Sequence, residues 1–182
     1  MLFSEKGFAA TRMDDVAARA GLSKGALYIY FPDKVALLKA LIEEKAGNLI
    51  NMAANLVNGH QGAVGPLVPV LLMHMAEKLD TTAAAFLIKI ALAESRAYPE
   101  LGQAYLETIA ARGFPILERL IMRGIVTGEF QAVDPVLAAR SLVAPLLFSA
   151  LWKSVFEPLG GSPIPARDLA QHHAQLMLRA LR

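Results

Sequence analysis

Residues 3–42 read FSEKGFAATRMDDVAARAGLSKGALYIYFPDKVALLKALI, a run of short helical stretches punctuated by glycine and proline. Leu2 and Phe3 read as the tail of a helix ending at Gly7, a residue suited to the left-handed position after a helix. Thr11 is placed to cap a second helix, with Asp14 three residues on giving a capping-box-like pattern. That helix offers Met13, Val16, Ala17 and Ala20 for burial, and Gly21 ends it. Ser23 caps a third helix, from Lys24 to about Tyr30. The short turn around Ala20, Gly21 and Leu22 is that of a helix-turn-helix. Pro32 breaks the third helix, Asp33 caps the next, and a long fourth helix is expected from Lys34 to about Val57.

A helix that reads DNA must bury one face and offer the other to the major groove. Leu27 and Phe31 share a face and are expected to point inward with Leu22 and Val16. Lys24, Gly25 and Tyr28 then fall outside. Glycine in a helix costs roughly 1 kcal/mol against alanine, so Gly25 needs a reason. Either the backbone approaches DNA closely there, or the missing side chain relieves crowding against the second helix. Tyr28 and Tyr30 offer hydroxyls for phosphate oxygens.

Beyond this stretch the pattern remains helical, and the chain reads as all-α. Helices are expected at about 67–79, 81–96, 99–123, 135–156 and 166–181, with Gly124 and Gly128 in a loop. Of 182 residues, 55% are hydrophobic and 19% charged, enough apolar surface for a sizeable core. The net charge is only +2, but residues 6–39 hold six basic and three acidic side chains, so the excess sits near the N-terminus. The absence of cysteine removes disulfides, thiolate metal sites and thiol nucleophiles. The longest stretch without charged or strongly polar residues, 62–73, holds two prolines and falls short of the ~20 residues that cross a bilayer. Glu5 and Lys6 interrupt any signal-peptide pattern. A cytoplasmic protein without membrane association is expected.

Phe3, Gly7, Phe8, Thr11, Val16, Ala17, Ala20, Gly21, Ser23, Gly25, Leu27, Tyr28, Tyr30, Phe31, Lys34, Leu37 and Leu38 stand in the order of a known pattern. The segment closely resembles the DNA-binding domain of the TetR family of bacterial transcriptional repressors. The resemblance implies a DNA-binding domain at 1–45 and a helical effector-binding and dimerisation domain at 46–182. It places Thr11 and Lys34 on phosphates, Lys24 and Ala26 on bases, and Tyr28 and Tyr30 on the backbone, with Gly25 and Arg12 beside them. It further implies a homodimer on a pseudo-palindromic double-stranded operator, released by a small, mainly apolar effector. Family members begin with a basic arm and a full first helix, whereas Met1 falls near the end of that helix, so an incomplete first helix and weaker DNA affinity are expected.

The remaining chemistry is sparse. His74 and Glu77 form an HxxE pair without a second such pair, and no nucleophile elbow, dinucleotide fingerprint or P-loop is present. No catalytic residue, metal or cofactor is expected. His74, Phe86, Ile90, Tyr105 and Phe148, with Phe114 and Trp152, are candidates to line an effector pocket, or equally plain core. Leu142, Leu146, Trp152, Leu169, Leu176 and Met177 are candidates for a four-helix dimer interface, or for burial within one subunit. The rival reading is a helical carrier of small molecules, or an enzyme, whose first segment is only structural.

Overall fold

A computed structural model describes residues 2–182, apart from the side chains of Ser4, Thr82 and Ala83. The chain folds as α1 (Leu2–Lys6), α2 (Met13–Ala20), α3 (Lys24–Tyr30), α4 (Lys34–Gly59), α5 (Leu67–Leu79), α6 (Thr82–Glu94) and α7 (Pro99–Tyr105). A π-helical turn, Leu106–Ala110, then leads into α8 (Ala111–Val126), followed by α9 (Pro135–Val155), a short 3-10 turn (Glu157–Leu159) and α10 (Ala166–Leu181). Among the described residues there is no strand, in keeping with the all-helical expectation.

Local chemistry explains the boundaries. Ser23 accepts the amide of Ala26 at the start of α3, and Asp33 accepts that of Ala36 at the start of α4. Gly21 ends α2 at φ 68°, the left-handed conformation that favours glycine. Asp134 accepts the amides of Val136 and Leu137, with Pro135 opening α9. The second helix differs from expectation. Arg12, not Thr11, occupies its cap position and makes no side-chain cap bond. Thr11 is buried, and its hydroxyl donates to the Gly7 carbonyl at 2.6 Å, so it closes the α1–α2 turn instead.

Three further differences have physical causes. Leu22 was expected inside but is 48% exposed, because the turn carries it outward while Leu27 fills the core. The stretch expected as one helix over 99–123 widens into the π turn ahead of Pro115, which cannot donate to the Ala111 carbonyl. Gly124 lies inside α8 rather than in a loop. A Cβ there would stand 2.2 Å from the Phe130 ring, so glycine allows that ring to lie directly on the helix.

Two apolar clusters organise the molecule. The larger is built on α9, which packs against α5, α6, α8 and α10, and includes Leu120, Ile121, Leu142 and Leu146. The segment Pro135–Leu159 is long and apolar enough by composition to cross a bilayer, and here α9 packs one side against four other helices of the bundle. The second cluster joins Phe3, Phe8, Leu27 and Leu38 to Phe86, Ile90 and Leu101 from α6 and α7. Tyr98 meets the Phe8 ring edge-on at 5.2 Å. The small helix-turn-helix core is therefore completed by the larger body, and α4 runs through both clusters.

Candidate nucleic-acid interface and effector cavity

The α2–α3 pair presents an open groove of about 360 Å³ whose walls include Thr11, Arg12, Lys24, Tyr28 and Lys34. Five of the eight residues expected to meet DNA thus surround one concavity. Ala26 and Tyr30 lie elsewhere on α3, Tyr30 largely exposed. No described atom comes within 4 Å of a Cβ built on Gly25, so relief of crowding does not explain the glycine. What remains is a bare stretch of helix backbone at the surface.

The two lysines of the groove are already engaged. Lys24 pairs with Asp14 at 3.0 Å and lies 5.8 Å from the Tyr28 ring centre. The Asp14 hydrogen bond and charge hold the Lys24 ammonium above the ordinary lysine range. Lys34 donates to the Phe8 and Ala9 carbonyls at 2.9 and 2.8 Å and covers the Phe8 ring. It is a strut between α4 and the α1–α2 turn. Thr11, expected on a phosphate, commits its hydroxyl to Gly7. Lys6 and Arg19 pair with Asp15 and Glu5. The residue that the sequence reading missed is Ile29, 79% exposed on α3.

A second feature lies behind α2 and α3. A cavity of about 390 Å³ opens between α4, α5, α6 and the π turn, walled by apolar residues that include Leu49, Ile50, Ile88 and Ile109. Leu49, Ile50, Met75, Ile109 and Leu147 also border a smaller space of about 100 Å³ that contains Phe114 in its wall. Lys45 and Lys78, both exposed, are the cations in the larger wall. Tyr105 lines it too, and burial pushes its phenol above the ordinary range. Of the five expected effector residues, only Tyr105 is found there. His74 is exposed, with Nδ1 2.9 Å from the Val70 carbonyl. Phe86 and Ile90 fill the junction with the helix-turn-helix. Phe148 lies on the outer surface, 54% exposed. Among the described residues no cluster of three or more histidines and carboxylates is placed to hold a metal.

Glu43 connects the cavity wall to α4. It accepts a hydrogen bond from Thr108 at 2.9 Å and pairs with Arg112. Arg112 first, then Thr108, holds its carboxyl below the ordinary glutamate range.

The expected interface residues also divide. Leu142 and Leu146 are buried within the subunit, where they pack in the main core, so they have no surface to offer a partner. Leu169 and Met177 are half-buried against the same core. Leu176 is exposed, and Trp152 stands in a ladder of rings with Phe148 and Phe156, centres 6.0 and 4.9 Å apart. Phe156 and Leu159 extend this exposed apolar strip.

Comparison with known proteins places these features. Residues 1–41 match the model of bacterial regulatory proteins of the tetR family, and residues 70–180 that of the C-terminal domain of AefR-like transcriptional repressors. An uncharacterized HTH-type regulator of Bacillus subtilis, YerO, is 44% identical over 55 residues, spanning 30% of this chain and only 19% of that protein. The fatty acid metabolism regulator protein of Bacillus subtilis is 26% identical over 143 residues, covering 78% of this chain and 72% of that one. The structure of Bacillus subtilis FadR in complex with stearoyl-CoA superposes with a TM-score of 0.79 at 21% identity, covering 99% of this chain and 94% of that one. At that identity the likeness concerns the fold.

Proposed function

Because this chain belongs to the TetR family of bacterial transcriptional regulators, we propose that it is a cytoplasmic, ligand-responsive repressor that binds a pseudo-palindromic operator as a homodimer. It is a regulator and not an enzyme. In this reading residues 1–45 form the reading head and residues 46–182 the effector-binding and dimerising body. The groove side of Arg12, Tyr28 and Lys34 meets the phosphate backbone, while Lys24 and the outer face of α3 enter the major groove. The exposed strip of Phe148, Phe156 and Leu159, with Leu176, supplies the apolar surface for the second subunit.

One observation carries the regulatory half. The helix that holds the reading head, α4, also lines the cavity through Ile42, Lys45, Ala46, Leu49 and Ile50. A ligand in the cavity therefore touches the element that sets the spacing of the two heads. Its effect is a population shift, limited by its differential affinity for the two arrangements. Apolar walls with two exposed lysines suit a ligand with a long apolar part and an anionic end. The stearoyl-CoA bound by the Bacillus subtilis relative is of that kind.

Titration of stearoyl-CoA, and separately of stearate, into the protein–operator complex tests this reading. Stearoyl-CoA is expected to release the operator. Leu49→Trp, which places a larger ring in the wall shared by both spaces, is expected to keep operator binding and weaken the response. An operator complex indifferent to both ligands, or a Leu49→Trp variant that responds as fully as wild type, contradicts the proposed effector site.

A further inference from the structure

The outer face of α3 is unusually poor in hydrogen-bonding side chains. Taking about 100° per residue, Gly25 and Ile29 lie about 40° apart and roughly opposite the buried Leu27. They form the centre of the face that leaves the protein. Gly25 contributes no side chain, with open space where its Cβ would be, and Ala26 contributes only a methyl group. Ile29 projects with 79% of its surface exposed, more than the tyrosines on either side of it. Lys24, the one cation on α3, is drawn to one edge by its bond to Asp14.

An exposed isoleucine gains nothing from water, and it does not join the junction core of Phe8, Leu27 and Leu38. On a helix that lies in a major groove it meets the floor of base edges. Those edges offer donors, acceptors and a single apolar group, the C5-methyl of thymine. Guanine is ordinarily read by a bidentate Arg or Lys, and adenine by Asn or Gln. The centre of this face carries none of these. The bare backbone at Gly25 lets the helix sink close enough for a short, branched side chain to touch the groove floor.

We propose that Ile29 is a specificity-determining residue, which reads thymine by packing on its C5-methyl group in each half-site. The inference rests on the DNA-binding reading above. Each half-site then carries a T·A pair under Ile29 that phosphate contacts and Lys24 do not specify. Burying one methyl-sized group corresponds to about fourfold in affinity per half-site, roughly 0.8 kcal/mol.

The test is a thermodynamic cycle on the full chain. An operator is first selected by the wild-type protein from random duplex DNA. Each thymine of the half-sites is then replaced, one position at a time, by deoxyuridine, which removes only the methyl. Operator affinities of wild type and Ile29→Ala are measured at fixed salt. One thymine per half-site is expected to cost the wild type about fourfold when its methyl is lost, and to cost Ile29→Ala nothing further. Ile29→Ala should bind the unmodified operator more weakly and melt at the wild-type temperature, because the side chain supports no core. Ile29→Val should retain most of the methyl dependence. If every deoxyuridine position costs both proteins equally, or costs neither, Ile29 reads no methyl and the inference falls while DNA binding stands. If no sequence is enriched, the DNA-binding reading falls and the inference with it.

Discussion

Thr108, in the π turn beside the cavity, donates its hydroxyl proton to Glu43 on α4 across 2.9 Å. Arg112, one turn further along, pairs with the same carboxylate. Ile109, the next residue after Thr108, lines the cavity, as does Lys45 two residues beyond Glu43. The cavity wall and the helix carrying the reading head are therefore joined at one carboxylate. A ligand that shifts the π turn acts on that joint directly.

Glu43 should make stability depend on pH in acid. Its carboxyl is held below the ordinary glutamate range in the folded chain. Its contribution is thus fully present above the unfolded value, about 4.3, and is lost as pH falls through the lower folded value. Thr108→Val should lower stability at neutral pH by about 0.5–1.5 kcal/mol and shrink the acid-dependent loss. Thermal melts of both proteins between neutral pH and pH 3 check this. An unchanged pH dependence in Thr108→Val means that the hydroxyl does not hold the carboxylate.

Gly25→Ala should separate folding from DNA binding. Nothing described lies within 4 Å of the added methyl, and alanine is the better helix former by about 0.8–1 kcal/mol. The melting temperature should rise slightly while operator affinity falls. A variant that binds DNA as well as wild type would show that the backbone at Gly25 keeps its distance from the groove.

Lys24 and Lys34 should respond differently to alanine. The Lys24–Asp14 pair is exposed, so its loss should leave stability nearly unchanged. Operator affinity should drop, with the salt dependence reduced by about one unit of slope if Lys24 neutralises a phosphate. Lys34 ties two carbonyls of the α1–α2 turn, and Lys34→Ala should cost about 1–2 kcal/mol. It should also speed amide exchange across residues 7–17. Equal effects of the two substitutions on stability would contradict the strut.

The helices and their caps were legible in the sequence because local chemistry sets them. Ser23 and Asp33 each sit one residue before a helix and accept the amides expected of caps. Thr11 misled because its hydroxyl had two partners within reach, and the Gly7 carbonyl won inside a buried turn. The reading head was legible as a dense motif, but its electrostatics were not. That Asp14 holds Lys24, and that Lys34 bonds to backbone, depends on how α1, α2 and α4 pack. The cavity was least legible. Phe86 and Ile90 read as pocket-lining residues because they are apolar and lie on a helix apolar all round, yet they face the helix-turn-helix. Ile29 was not singled out, because its exposure depends on how α3 packs.

Phe148→Asp should disrupt the proposed dimer. The ring is 54% exposed and lies tilted beside Trp152, so the subunit can fold around an aspartate there. The same charge at a subunit interface would be buried and unpaired. Sedimentation should find wild-type dimers and monomeric Phe148→Asp of unchanged helix content. A wild type that is monomeric at micromolar concentration removes the assignment.

Selection from random duplex DNA decides whether this chain reads an operator as a dimer. The chain is incubated with the duplex pool at fixed salt, bound DNA is recovered and amplified, and the enriched sequences are read. One enriched site is expected, with two inverted half-sites about one helical turn apart, or a multiple of it, and a binding constant that falls with salt. An unenriched pool, or a single half-site without its inverted partner, would contradict that expectation.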